Sequence, residues 1–177
     1  MNTVTRDAMN LARMLLLGLA ASNARAEDAL LFAYFRDNGQ NGVHLAMTTN
    51  GVDFVPLNDD KPIFTPPPWP KQNLTRDASI LYREGVFRMV WTSHWKGRVF
   101  GYAESHDLVH WSEPRQVRPF PESLPAEDQP DNIWAPELHW DPAKQDYFIL
   151  FASTTPRDFT VIEMPIRMTA QDKHPIP

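Results

Sequence analysis

Two short segments carry residue types suited to acid–base chemistry on a sugar. Thr75-Arg76-Asp77-Ala78-Ser79-Ile80 and Asn132-Ile133-Trp134-Ala135-Pro136-Glu137-Leu138-His139 each set one carboxylate just before a strand. Hydrolysis of a glycosidic bond needs one carboxylate to deprotonate water and a second carboxyl group to protonate the leaving oxygen, and an aromatic face to stack on the sugar ring. Asp77 and Glu137 are therefore the candidate catalytic residues. Trp134 is the candidate platform, and His94 with Trp95 is placed to rim the same pocket. Each also fits a plainer role. Asp77 could cap a strand start, Glu137 could accept backbone amides, Trp134 could be core, and His94 and Trp95 could lie on a surface loop.

The elements that must position these residues are short strands. Leu30 to Phe35, Val43 to Thr48, Ile80 to Tyr82, Val86 to Thr92, Val99 to Ala103 and Tyr147 to Ala152 are rich in aromatic and branched residues, and turn residues such as Asn50-Gly51 separate them. Seventeen Pro against seven Gly fit many short segments joined by stiff turns, and no stretch after the N-terminus sustains a helical period.

These runs repeat as a group. Trp111 follows Phe54 by 57 positions, and Phe32-Ala33-Tyr34-Phe35 lines up with Met89-Val90-Trp91-Thr92 at the same spacing. Leu45 to Phe54 lines up with Gly101 to Trp111 if one residue is inserted, and Tyr147 to Ser153 matches Phe87 to Ser93 at a spacing of 60. A period of roughly 40 to 60 residues with about four strands in each is the signature of a β-propeller. One four-stranded blade cannot bury both of its faces, so blades stack around an axis, with aromatics such as Trp111 between them. A β-sandwich with similar hairpins is the alternative architecture.

The expected organisation is a signal peptide over 1–26, a partial propeller over 27–156 and an irregular tail over 157–177. The first repeat opens at its second strand, the second runs complete from Asp77 to about Pro119, and the third begins at Trp134 and fades after Ser153. That makes about two and a half blades, whereas a closed propeller has at least about four, so the chain reads as truncated. At the N-terminus, Arg6 and Arg13 precede the apolar run Met14 to Ala21, and Ala24-Arg25-Ala26 follows with small residues at two positions. This is the pattern of a secretory signal, with an apolar run too short to span a bilayer. The expected destination is secreted or periplasmic, with no membrane role beyond export.

A net charge of −5 without clustered Lys or Arg argues against nucleic acid or an anionic membrane surface as partner. The absence of Cys removes thiol catalysis, disulfides and thiolate metal sites. His44, His110 and His139 lack metal-ligand spacing, and Asp37 reads as a turn residue before Asn38-Gly39.

Asp77-Ala78-Ser79-Ile80 followed by Gly85 to Ser93 resembles the opening blade of the family 43 glycoside hydrolases. Ser105-His106-Asp107-Leu108-Val109-His110-Trp111 is similar to their blade-end motif, and Trp134-Ala135-Pro136-Glu137-Leu138 to their second-blade motif. The resemblance covers roughly Leu30 to Ser153. It implies a five-bladed propeller that hydrolyses arabinosides or xylosides of plant-type polysaccharides with inversion. It further implies Asp77 as general base, Glu137 in the place of an acid-orienting aspartate, and a structural calcium in the full-length propeller. Glu137 is longer than that aspartate, and Ala78 replaces a common proline. The family's catalytic acid is a glutamate one blade further on; Glu163 lies in the tail and is not assigned to it. Arg76-Asp77 also resembles the Arg-Asp pair of the sucrose-cleaving propeller enzymes, which makes Arg76 a candidate substrate contact. The competing functions are a sucrose- or fructan-type glycosidase, a non-catalytic carbohydrate-binding propeller, and a broken reading frame that leaves half an active site with no independent activity.

Overall fold

The computed structural model describes residues 29–154 and 159–166, and these form ten strands with no α-helix among them. The expected signal segment lies outside the described residues. β1 (Leu30–Phe35), β2 (Val43–Thr48) and β3 (Val55–Pro56) form the first antiparallel sheet. β4 (Arg76–Arg83), β5 (Val86–Thr92), β6 (Phe100–Ser105) and β7 (Arg115–Val117) form the second. β8 (Asn132–Asp141), β9 (Asp146–Thr154) and β10 (Phe159–Ile166) form the third. Each sheet is a meander whose strands pair in chain order, and β4 packs against both β1 and β8. The fold is all-β, and the three sheets are successive blades of a β-propeller.

The repeat is visible in the pairing. Phe32 faces Ala46 across β1 and β2, and Met89 faces Ala103 across β5 and β6, both at a spacing of 57 positions. The turns that follow share one hydrogen-bond plan. The Thr48 hydroxyl accepts the N–H groups of Asn50 and Gly51, and the Ser105 hydroxyl accepts those of Asp107 and Leu108. Asn50 Oδ1 then accepts from Val52 and Asp53, as Asp107 Oδ1 does from Val109 and His110. Short oxygen-bearing side chains close such turns by satisfying their backbone donors locally. The spacing is constant through both turns, so the single insertion expected from sequence is not there.

Two apolar cores sit between the blades, which is why β5 is apolar on both faces. Met89 and Trp91 point toward the first blade and pack with Val43, Phe64 and Ala103. Val90 points toward the third blade and packs with Phe100, Tyr102, Ile133, Ile149 and Phe151. Successive strand residues face opposite sides of a sheet, so a strand between two blades can bury both faces, as β5 does from Met89 to Thr92. Each such large side chain contributes about 1.5–3 kcal/mol. Trp111 packs against Phe64 at 5.8 Å between the first two blades, the position expected of it.

One expectation is corrected. Residues 157–177 read as an irregular tail, yet Phe159–Ile166 is a strand that pairs antiparallel with β9 from Phe159 opposite Thr154 to Ile166 opposite Tyr147. The third blade therefore continues past Ser153. Thr160, Val161 and Ile162 are branched strand formers, and an outer strand tolerates Pro165 because its missing N–H need not join a ladder. Glu163 stands opposite Leu150 on this third strand of the blade, not on an inner strand.

Candidate active site

Two inner strands, β4 and β8, begin with the same distortion. Between Arg76 opposite Thr92 and Ser79 opposite Val90, β4 spends three steps against two on β5. Between Trp134 opposite Ala152 and Glu137 opposite Leu150, β8 does the same against β9. Each is a β-bulge, and each holds one non-glycine residue in the left-handed region: Asp77 at φ 51° and Ala135 at φ 44°. Bulges re-aim side chains, and strained positions of this kind gather at functional sites. Asp77 and Glu137 thus occupy different places in the repeat: the first is the bulged residue itself, the second lies two residues beyond its counterpart.

The two bulges are tied to each other. Thr92, buried in β5, donates its hydroxyl to Asp77 Oδ2 at 3.1 Å and accepts the Ala135 N–H at 2.8 Å. One turn of pleat further on, Ser79 Oγ accepts the Leu138 N–H at 3.3 Å. Arg76 Nε lies 4.0 Å from Asp77 Oδ2. The guanidinium is held in place by stacking over Phe35 at 4.7 Å and Trp95 at 4.1 Å and by a hydrogen bond to Asn38 Oδ1. The start of β4 is anchored by buried Thr75, whose N–H and hydroxyl both donate to the Gly39 carbonyl. Gly39 has φ 78° and a Cβ there would meet Arg76 Cγ at 2.7 Å, so glycine permits the close approach.

Asp77 and Glu137 line one open cavity of about 470 Å³. Ser79, His139, Tyr82 and Phe32 also line it, and β1 supplies the far wall. The Asp77 side chain is 34% exposed, whereas Glu137 is 62% exposed with His139 Nε2 at 3.4 Å from its carboxylate. The His139 ring stacks on Phe148 at 5.1 Å, which fixes its orientation.

None of the three expected substrate contacts, Trp134, Arg76 and His94, lines the cavity, although Arg76 stands beside Asp77. Trp134 donates its indole N–H to the Trp95 carbonyl at 3.0 Å, and the bulge at Ala135 leaves it on the same face of β8 as Glu137. His94 Nδ1 faces the backbone of its own loop, close to both the Lys96 carbonyl and the Lys96 N–H. Thr92 and Ser79 were not singled out by sequence reasoning. The available signal was a hydroxyl at the end of the apolar run Met89-Val90-Trp91. Among the described residues no three His, Cys, Asp or Glu side chains gather to hold a metal.

Comparison with known proteins agrees with this architecture. Residues 26–163 match the model of a family described as "Probable glycosyl hydrolase domain" and related to glycoside hydrolase family 43. Among solved structures, a family 32 β-fructofuranosidase of Bombyx mori, BmSUC1, is 14% identical with a TM-score of 0.60, over 83% of this chain and 33% of that one. A thermostable family 43 glycoside hydrolase is 11% identical with a TM-score of 0.51, over 83% of this chain and 53% of that one. The chain thus spans a third and about half of the lengths of these two enzymes, and at such identities the likeness is one of fold. With the match covering most of its length, and the bulged inner strands in the order the motifs required, the chain belongs to the glycosyl hydrolase domain family related to glycoside hydrolase family 43.

Proposed function

We propose that this protein serves glycoside hydrolysis, acting on arabinosides or xylosides of plant-type polysaccharides with inversion. The observation that carries the reading is that Asp77 and Glu137 line one cavity from the bulged starts of neighbouring inner strands. Asp77 is the general base: one oxygen is occupied by the Thr92 hydroxyl, which leaves the other to take a proton from water. Glu137 is the carboxylate that orients and tunes the acid. The acid implied by the resemblance is a glutamate on a third inner strand, beyond the two described. Export rests on the charged, apolar and small segments of the N-terminus, and the domain match begins at residue 26, where cleavage is expected. Sequencing the N-terminus of the exported protein checks this: a start near Glu27 is expected.

The function is tested on the natural gene product with 4-nitrophenyl α-L-arabinofuranoside and 4-nitrophenyl β-D-xylopyranoside. Asp77→Asn is expected to lower turnover by about 10²–10⁴-fold, the usual contribution of a positioned base, while sugar binding persists. Equal turnover in wild type and variant removes Asp77 from the mechanism. No turnover of either glycoside by the wild type rejects the hydrolase reading for this product.

A further inference from the structure

The two inner strands carry different side chains at the same place. Ser79 stands opposite Val90 just past the bulge of β4, and Glu137 stands opposite Leu150 just past the bulge of β8. Both line the cavity. Where the third blade presents a carboxylate, the second presents a hydroxyl, and β8 in turn has Ala135 in the bulge where β4 has Asp77. The Ser79 oxygen is fixed from the neighbouring blade: it accepts the N–H of Leu138, the residue after Glu137, at 3.3 Å. A hydroxyl has one proton to give beside the lone pairs that receive. Among the described residues that proton has no protein acceptor, and the side chain is half-buried in the cavity wall.

The carboxylates of Asp77 and Glu137 can only accept hydrogen bonds while ionised. His139, the next polar side chain in the wall, has Nε2 at 3.4 Å from the Glu137 carboxylate. Tyr82, whose hydroxyl is the other one in the wall, lies three residues further along β4, toward the hairpin. The nearby amides are engaged as well: the Ala135 N–H goes to Thr92 and the Leu138 N–H to Ser79. A sugar hydroxyl both donates and accepts, so one that gives its proton to a carboxylate still has lone pairs for a donor. We infer that Ser79 is that donor: it reads one ring hydroxyl of the glycoside at the two carboxylates and so determines which sugar fits. Its oxygen, held by the Leu138 N–H, is aimed before the sugar arrives, which lowers the ordering cost of binding. This rests on the reading of the cavity as a glycoside site.

The test is calorimetric titration of the natural protein with methyl β-D-xylopyranoside, methyl α-L-arabinofuranoside and the monodeoxy analogues of each. The wild type is expected to bind at least one parent sugar, and to bind one of its monodeoxy analogues about three- to tenfold more weakly, the worth of one neutral hydrogen bond. Ser79→Ala is expected to bind the parent as weakly as the wild type binds that analogue, and to stop distinguishing the two. Ser79→Thr, which keeps the hydroxyl, retains both affinity and discrimination. Thermal melts of each variant report the loss of the Leu138 N–H acceptor, which a merely structural role would show while leaving the discrimination intact. If Ser79→Ala loses its fold, Ser79→Cys, whose thiol is a weak donor, decides the matter. A folded Ala or Cys variant that still discriminates overturns the assignment. So does a wild type that distinguishes no monodeoxy analogue, or one that binds neither sugar. Discrimination that depends on Ser79 without glycoside turnover leaves the donor standing and rejects only the hydrolase reading. Turnover that Asp77→Asn abolishes, with discrimination indifferent to Ser79, does the reverse.

Discussion

Thr92 and Asp77 are joined by a single hydroxyl that also serves the next blade. Its proton goes to Asp77 Oδ2 at 3.1 Å, since the carboxylate can only accept, and its oxygen receives the Ala135 N–H at 2.8 Å. Thr92→Val keeps the shape and removes both bonds. It leaves an amide and a carboxylate oxygen short of a partner, which costs about 1–3 kcal/mol. Urea denaturation is expected to show the loss for Val and little change for Thr92→Ser. A Val variant as stable as the wild type means the bridge does not hold the bulges together.

Gly101 faces Trp91 across β5 and β6, and the Trp91 indole lies over it with no exposure of its own. A Cβ on Gly101 would stand inside that indole. Trp91 is closed in by Phe64 at 4.8 Å and Trp69 at 6.1 Å and has no free direction to move. Gly101→Ala is therefore expected to destabilise by about 1–3 kcal/mol or more through overpacking. Gly51 has nothing within 4 Å, so Gly51→Ala carries only the left-handed strain of about 1–2 kcal/mol. Comparing the two urea midpoints separates overpacking from strain.

Acid should loosen the turns of the first two blades. The Tyr34 hydroxyl, donating to Asp60 Oδ1, is the main reason the Asp60 carboxyl lies below its ordinary value of 3.8. The His110 side chain and the N–H groups of His110 and Val109 hold Asp107 lower still. A carboxyl depressed in the fold stabilises it above the ordinary value, and that stability is lost as pH falls from about 4 through the depressed value. Melting temperature measured from pH 7 down to pH 2 should fall below pH 4. Asp60→Asn and Asp107→Asn should each flatten part of that fall. A fall of the same steepness in the double variant would show that neither carboxyl drives it.

The repeat was legible because it rests on local chemistry. Thr48 and Ser105 close their turns with their own neighbours, and the strands β1, β2 and β5, rich in aromatic and aliphatic residues, have the bounds expected of them. β10 was not legible, since Phe159–Ile166 shares the β-forming character of a strand but lacks the flanking turn motif that marked the others. Its place comes from pairing with β9.

The two carboxylates first noticed in the sequence show the same division. Residue type and order alone determined that Asp77 and Glu137 stand at the starts of successive inner strands. Only the tertiary structure decided how each is aimed. An extra residue in each strand shifts every later side chain to the other face. The bulges put Asp77 on the Thr92 hydroxyl and leave Glu137 exposed beside His139, while Trp134, ahead of its bulge, holds the Trp95 carbonyl outside the cavity. A bulge depends on where the partner strand pairs, and the sequence of one strand does not contain its partner's register.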